Sequence, residues 1–103
     1  MIAVGGRSDG RIARFEGDAW VEEVLPIAGL NGIWIDPNGT ATAVGTDGRI
    51  LALEPGGFDY AFEPSGSMMV LHAVFGFSGG PRFAVGGNLL SQPPHVGVIL
   101  REG

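Results

Sequence analysis

The chain contains no cysteine and no lysine. The first absence removes a disulfide framework, thiolate metal sites and thiol redox chemistry, which fits the cytoplasm while leaving secretion open. The second leaves six arginines as the whole basic complement against 11 carboxylates, a formal net charge of −5 at pH 7. Phosphate-tracking surfaces need clustered Lys and Arg, so no nucleic-acid partner is expected. Lysine is also a common means of blunting exposed sheet edges, and its absence points to edges that are covered. No apolar run approaches the roughly 18 residues of a membrane span, and residues 1–10 lack a basic stretch followed by an apolar one. Neither a membrane segment nor a signal peptide is expected, and the reading is a soluble protein. No phosphate loop, dinucleotide fingerprint or nucleophile constellation occurs, and no segment sustains a helical period.

Glycine, in contrast, is abundant: 19 of 103 residues, with 7 prolines beside them. That is more than twice the roughly 7% usual in proteins. Hydrophobic residues make up 45% of the chain, too many for a disordered Gly/Pro tract, and no triplet glycine period suggests collagen. The length supports one domain with a modest core.

The sequence repeats itself. Ala3-Val4-Gly5 recurs as Ala43-Val44-Gly45 and Ala84-Val85-Gly86, at offsets of 40 and 41. Gly10-Arg11-Ile12 recurs as Gly48-Arg49-Ile50, and more loosely as Gly97-Val98-Ile99. Leu30-Asn31-Gly32-Ile33-Trp34 matches Leu71-His72-Ala73-Val74-Phe75, and Trp20 follows Gly10 at the distance at which Phe58 follows Gly48. Between these anchors lie short runs of Val, Ile, Leu, Phe and Trp cut by Gly, Pro, Asn and Asp, the pattern of strands and turns. The middle unit predicts four strands, A to D, at Leu30–Asp36, Thr40–Thr46, Gly48–Glu54 and Phe58–Glu63. Pro37-Asn38-Gly39, Asp47-Gly48 and Pro55-Gly56-Gly57 supply its turns. The outer units predict strands B, C and D before it (Ile2–Gly6, Arg11–Glu16, Ala19–Leu25) and A, B and C after it (Leu71–Phe77, Arg82–Gly87, Val96–Glu102).

A four-stranded unit of about 40 residues, repeated, is the signature of a β-propeller blade. The succession Leu-x-Gly-Ile/Val-Trp/Phe, Ala-Val-Gly, Gly-Arg-Ile and a following aromatic resembles the tandem propeller repeats of bacterial, especially myxobacterial, proteins. More distantly, it is similar to BNR-type and photosystem assembly-factor propellers. The resemblance covers nearly the whole chain. The Asp-box spacing is not met at Ser8-Asp9-Gly10, so no sialidase or glycosidase activity is carried over.

The expected fold is therefore all-β: about two and a half four-stranded antiparallel blades, with residues 1–29 a partial blade, 30–70 a full one and 71–103 a partial one. Closed propellers need roughly four to eight blades, so the ring is expected to be completed by oligomerisation. A homodimer of three blades per chain comes first. A homotrimer, merging strand A of one chain with B, C and D of the next, comes second. The chain as a fragment of a longer propeller is the alternative.

Candidate site residues follow from this frame. Trp20, Trp34, Phe58 and Phe75 are repeat-matched aromatics, suited to stacking on sugars or to packing between blades. Asp9 and Asp47 precede a glycine at the B–C connection, as ligands on one rim or as turn formers. Arg7 shares that rim, as does His95 in the long third B–C insert, and inserts into one repeat map to one face, often the binding face. Glu22 and Glu23 are neighbours on a strand and so point to opposite faces, which rules out acid–base cooperation. His72 and His95 lack a second ligand at metal-binding spacing, so no metal and no cofactor is expected. The function expected is a non-catalytic ligand-binding or protein-interaction scaffold, with a carbohydrate or peptide as possible ligand and Arg7, Asp9, Asp47, His95 and Trp20 as its candidate residues. A purely structural assembly domain is the rival. A glycan-acting enzyme would need two inward carboxylates at matched separation, which the sequence does not supply.

Overall fold

A computed structural model describes residues 1–88 and 96–102; His95 and the rest of the insert at 89–95 lie outside the described residues. Among the described residues ten strands run in order: β1 (Ile2–Gly5), β2 (Gly10–Glu16), β3 (Ala19–Leu25), β4 (Leu30–Ile35), β5 (Ala41–Gly45), β6 (Ile50–Leu53), β7 (Tyr60–Glu63), β8 (Leu71–Gly76), β9 (Arg82–Asn88) and β10 (Val96–Arg101). They form three antiparallel sheets in which every strand pairs only with its neighbours in sequence: β1-β2-β3, β4-β5-β6-β7 and β8-β9-β10. The fold is all-β.

The turns explain where the strand ends depart from expectation. Asp47 (φ 61°) and Gly48 (φ 70°) both take positive φ, and the Arg49 amide donates to the Thr46 carbonyl at 3.3 Å. Two positive-φ residues between paired strands is the type I′ requirement, which Asp-Gly meets at low cost. Gly48 therefore belongs to the turn, and β6 starts two residues later than expected. The Asp9-Gly10 pair behaves differently. Its connection spans residues 6–9, the positive φ falls on Gly6 (98°), and Gly10 is buried inside β2 with its amide donating to the Ile27 carbonyl. The expected Asp9-Gly10 hairpin turn is thus corrected: a four-residue connection places its left-handed residue elsewhere.

β7 begins at Tyr60, not Phe58, because Pro55-Gly56-Gly57 lengthens the β6–β7 connection and carries Phe58 with it. Ladder register makes the same correction to the aromatic match. Phe15 faces Trp20 in the first sheet, and Leu53 faces Tyr60 in the second. Tyr60 is therefore the ladder counterpart of Trp20.

The sheets stack face to face. Alternate strand residues point to opposite faces, so each sheet has a forward face, toward the following sheet, and a rear face. Ile2, Val4 and Ile12 of the first sheet's forward face meet Ala41, Ala43, Leu51 and Leu53 of the second sheet's rear face. Val44, Ile50 and Trp34 of the second sheet's forward face meet Leu71, Val74, Ala84, Val98 and Leu100 of the third. All five residues of β5 are buried, as befits a strand covered on both sides. The small Ala41, Thr42, Ala43 and Gly45 let both neighbours approach. Ile12, Leu51 and Leu53 are fully buried, each removing apolar surface worth about 1.5–3 kcal/mol from water.

Candidate functional site

Two arginines join the sheets. Arg14, on the forward face of β2, is 8% exposed. Its Nη2 donates to the Glu54 carbonyl at 2.8 Å and its Nε to the Gly57 carbonyl, so a buried cation is satisfied by the β6–β7 turn of the next sheet. The guanidinium also lies 6.0 Å from the Phe58 ring centroid, within cation–π range. Phe58 thus packs against the arginine and the core rather than offering an open stacking platform.

Arg82, at the start of β9, reaches back to the second sheet. Nη1 donates to Thr42 Oγ1 at 2.7 Å, and the guanidinium grips Glu63 with both terminal nitrogens at 3.1 and 3.2 Å. It also pairs with Glu102. The Glu102 hydrogen bond, joined by Glu63 and opposed by burial, holds the Arg82 pKa further above its ordinary value. The Arg82 hydrogen bond in turn holds the Glu102 carboxyl below its usual range. These four residues line a cleft of about 440 Å³ between the second and third sheets. With both terminal nitrogens engaged by one hydroxyl and two carboxylates, Arg82 is a brace between sheets and not an open anion site.

The candidate rim residues divide. Arg7 and Asp9 are exposed in the β1–β2 connection, and Asp47 is exposed at the β5–β6 turn. The two connections flank Gly29: its carbonyl accepts from the Thr46 amide at 3.0 Å, and a Cβ on it would lie 2.8 Å from the Arg7 carbonyl oxygen. Arg7 and Asp47 therefore share one rim, although no hydrogen bond or ion pair joins Arg7, Asp9 and Asp47 among the described residues. Beside Asp47 lies an open cleft of about 760 Å³ that Arg49, Phe62, Ser65 and Met68 also border.

Trp20 is not on that rim. It stands on the rear face of the first sheet, 48% exposed and edge-on to Phe15 at 5.4 Å. Trp34 is half-buried between the second and third sheets, where its ring covers Gly76. Phe75 stacks on Phe83 at 5.3 Å on the forward face of the third sheet. Glu22 is held by Arg11 at 2.6 Å. His72 is exposed.

The two outer faces carry exposed large hydrophobic residues, among them Phe15, Trp20 and Val24 on one and Phe75 and Ile99 on the other. On the forward face of the third sheet, ladder register aligns Phe75, Phe83 and Arg101 in one row and Ala73, Val85 and Ile99 in the next. The rear face of the first sheet carries Phe15, Trp20, Val24 and Ala13 around the Arg11–Glu22 pair. An unclosed arc of blades is expected to leave an apolar face bare at each end, but sequence reasoning did not identify which residues form these faces, nor the two bracing arginines, since strand parity relative to a neighbouring sheet is not written in the residues.

Among the described residues, no three His, Asp or Glu gather to hold a metal ion, and no helix is long and apolar enough to cross a membrane. No protein family, curated protein or solved structure matches the chain.

Proposed function

We propose that the protein is a non-catalytic interaction scaffold whose three sheets are propeller blades and whose ring is completed by further copies of the chain, joined head to tail. One observation carries the reading. Ile99, the sequence counterpart of Ile12 and Ile50, is 75% exposed, whereas Ile12 is 0% exposed under the next sheet. Its neighbours follow the same correspondence: Phe83, Val85 and Arg101 stand where Ile2, Val4 and Arg14 stand in the first sheet. The opposite surface is complementary. Phe15 and Trp20 are 43% and 48% exposed at the positions of Leu53, which is fully buried, and Tyr60. The forward face of the third sheet thus fits the rear face of the first sheet of another copy, as the first fits the second within the chain. Arg101 would then reach the turn after Glu16, the counterpart of Glu54.

Such a contact is heterologous, and it closes into a ring or grows into a filament. A two-chain ring is favoured over the trimer with merged strands, because β8 is held by β9 in its own sheet. The shared rim bearing Arg7, Asp9 and Asp47 would present several copies of one weak site for a carbohydrate or peptide, and multiplicity would supply avidity.

Light scattering coupled to size-exclusion chromatography tests the assembly. The expected mass is that of two 10.7 kDa chains, reverting to one chain in Ile99→Glu with the strand signal in circular dichroism retained. A folded monomer at every concentration overturns the reading. Glycan and peptide arrays, with Arg7→Ala and Asp47→Ala as controls, test the rim.

A further inference from the structure

The three Ala-Val-Gly glycines do not share one environment. A Cβ on Gly45 would lie 2.8 Å from Leu30 Cα and closer still to the Gly29 carbonyl oxygen. A Cβ on Gly86 would lie 2.7 Å from Leu71 Cα and likewise press on the Val70 carbonyl oxygen. In both places the glycine exists so that the preceding strand can cross directly over it. The residue after each glycine fixes that strand by a backbone hydrogen bond: Thr46 to the Gly29 carbonyl at 3.0 Å, and Gly87 to the Val70 carbonyl at 2.9 Å. Both crossing strands then bulge by one residue, at Asn31 and at His72. At Gly5 nothing described comes within 4 Å of the same Cβ position. β1 pairs with β2 on one edge, and no described strand occupies the other.

From this we infer that the free edge of β1 is a docking groove for one extended strand of the pattern Leu-x-Gly/Ala-Ile/Val-Trp/Phe, carried by another polypeptide. The register of β4 on β5 transfers directly. The incoming Leu sits opposite Gly5, the small residue opposite Val4, the β-branched residue opposite Ala3 and the aromatic opposite Ile2. The Gly6 amide, in the place of Thr46 and Gly87, donates to the carbonyl preceding the Leu. Main-chain pairing of this kind supplies affinity, and the side chains at alternate positions supply specificity. In a copy of this chain the strands of that pattern, β4 and β8, are engaged with β5 and β9. The occupant is therefore a strand left unpaired in its own polypeptide. Ring closure is not required: the groove lies on a sheet edge, whereas the proposed assembly uses sheet faces.

A fluorescein-labelled peptide of residues 29–36 is the probe, titrated into the full chain by anisotropy, with hydrogen exchange read at residues 2–6. Saturable binding is expected, with slowed exchange at Ile2, Val4 and Gly6. Their amides face the free edge, because the Phe15 amide donates to the Met1 carbonyl and so sets Met1, Ala3 and Gly5 toward β2. Gly5→Ala adds a methyl where the chain alone has open space, so its unfolding midpoint does not fall. The same methyl meets the peptide as it would meet Leu30 at Gly45, and affinity drops by about tenfold or more. A Leu30→Asp peptide loses binding without touching the protein's fold. Absence of saturable binding, equal affinity for Gly5→Ala, or protection confined to other residues overturns the proposal. Light scattering on Gly5→Ala keeps this result separate from ring assembly.

Discussion

Replacing Arg14 by methionine keeps most of the side-chain volume and deletes the charge and both donors. The guanidinium is nearly buried and makes two hydrogen bonds to backbone carbonyls of the neighbouring sheet. Hydrogen bonds to charged groups contribute about 1.5–3 kcal/mol each. The acceptors belong to a turn whose Glu54, Pro55 and Gly56 are exposed, so water recovers part of the loss. Removal of the buried cation itself offsets another part. A net destabilisation of about 2 kcal/mol remains, and at about 4–8 °C per kcal/mol for a domain this size the midpoint falls by about 8–16 °C. Arg14→Ala adds the lost packing of the aliphatic stem, about 1 kcal/mol more. Urea unfolding followed by circular dichroism measures both variants, with an unchanged slope showing that the unfolded state is not altered. A loss below about 0.5 kcal/mol for Arg14→Met, the range of ordinary surface changes, would refute the idea that this arginine ties two sheets together.

Leu51→Ala, at a fully buried position of the second sheet, is expected to cost about 2–5 kcal/mol in the same assay. Gly86→Ala should destabilise by about 1–3 kcal/mol, because its methyl meets backbone that cannot give way; Gly5→Ala, with open space, should not. Asp47→Gly removes the strain of a non-glycine residue at φ 61° and should leave stability within about 0.5 kcal/mol of the parent, whereas Asp47→Val is expected to fall by about 1 kcal/mol or more. Because Arg82 lowers the Glu102 pKa, the contribution of that pair is present above the ordinary carboxylate range and is lost as pH falls through the lowered value. Acid titration of stability should therefore be shallower in Glu102→Gln than in the parent; parallel curves would show that the pair is silent.

Strand positions were legible because Gly, Pro, Asn and Asp interrupt the apolar runs, and the backbone needs of turns are local. Turn conformation was legible only in part. Asp9-Gly10 and Asp47-Gly48 read alike, yet only the second sits in a connection short enough to force both residues to positive φ. Arginine roles were not legible at all. Arg11 and Arg14 lie on one strand three residues apart, so they point to opposite faces; one pairs with Glu22 in the open and the other is sealed under the next sheet. Which face is sealed depends on a sheet formed some 40 residues later in the chain. The Arg82 brace likewise gathers Thr42, Glu63 and Glu102 from three different strand ends or connections, a convergence that spacing alone does not announce.

Each sheet is a meander of sequence neighbours, and each meets the next through the same pair of faces. A gene duplication of roughly 40 residues, one unit long, would therefore insert a sheet whose two contacts are ones the protein already makes. Deletion of a unit would restore the same contacts between the survivors. The length of such a protein is free to drift one unit at a time, and the size of any ring it builds can change without a new kind of interface having to arise.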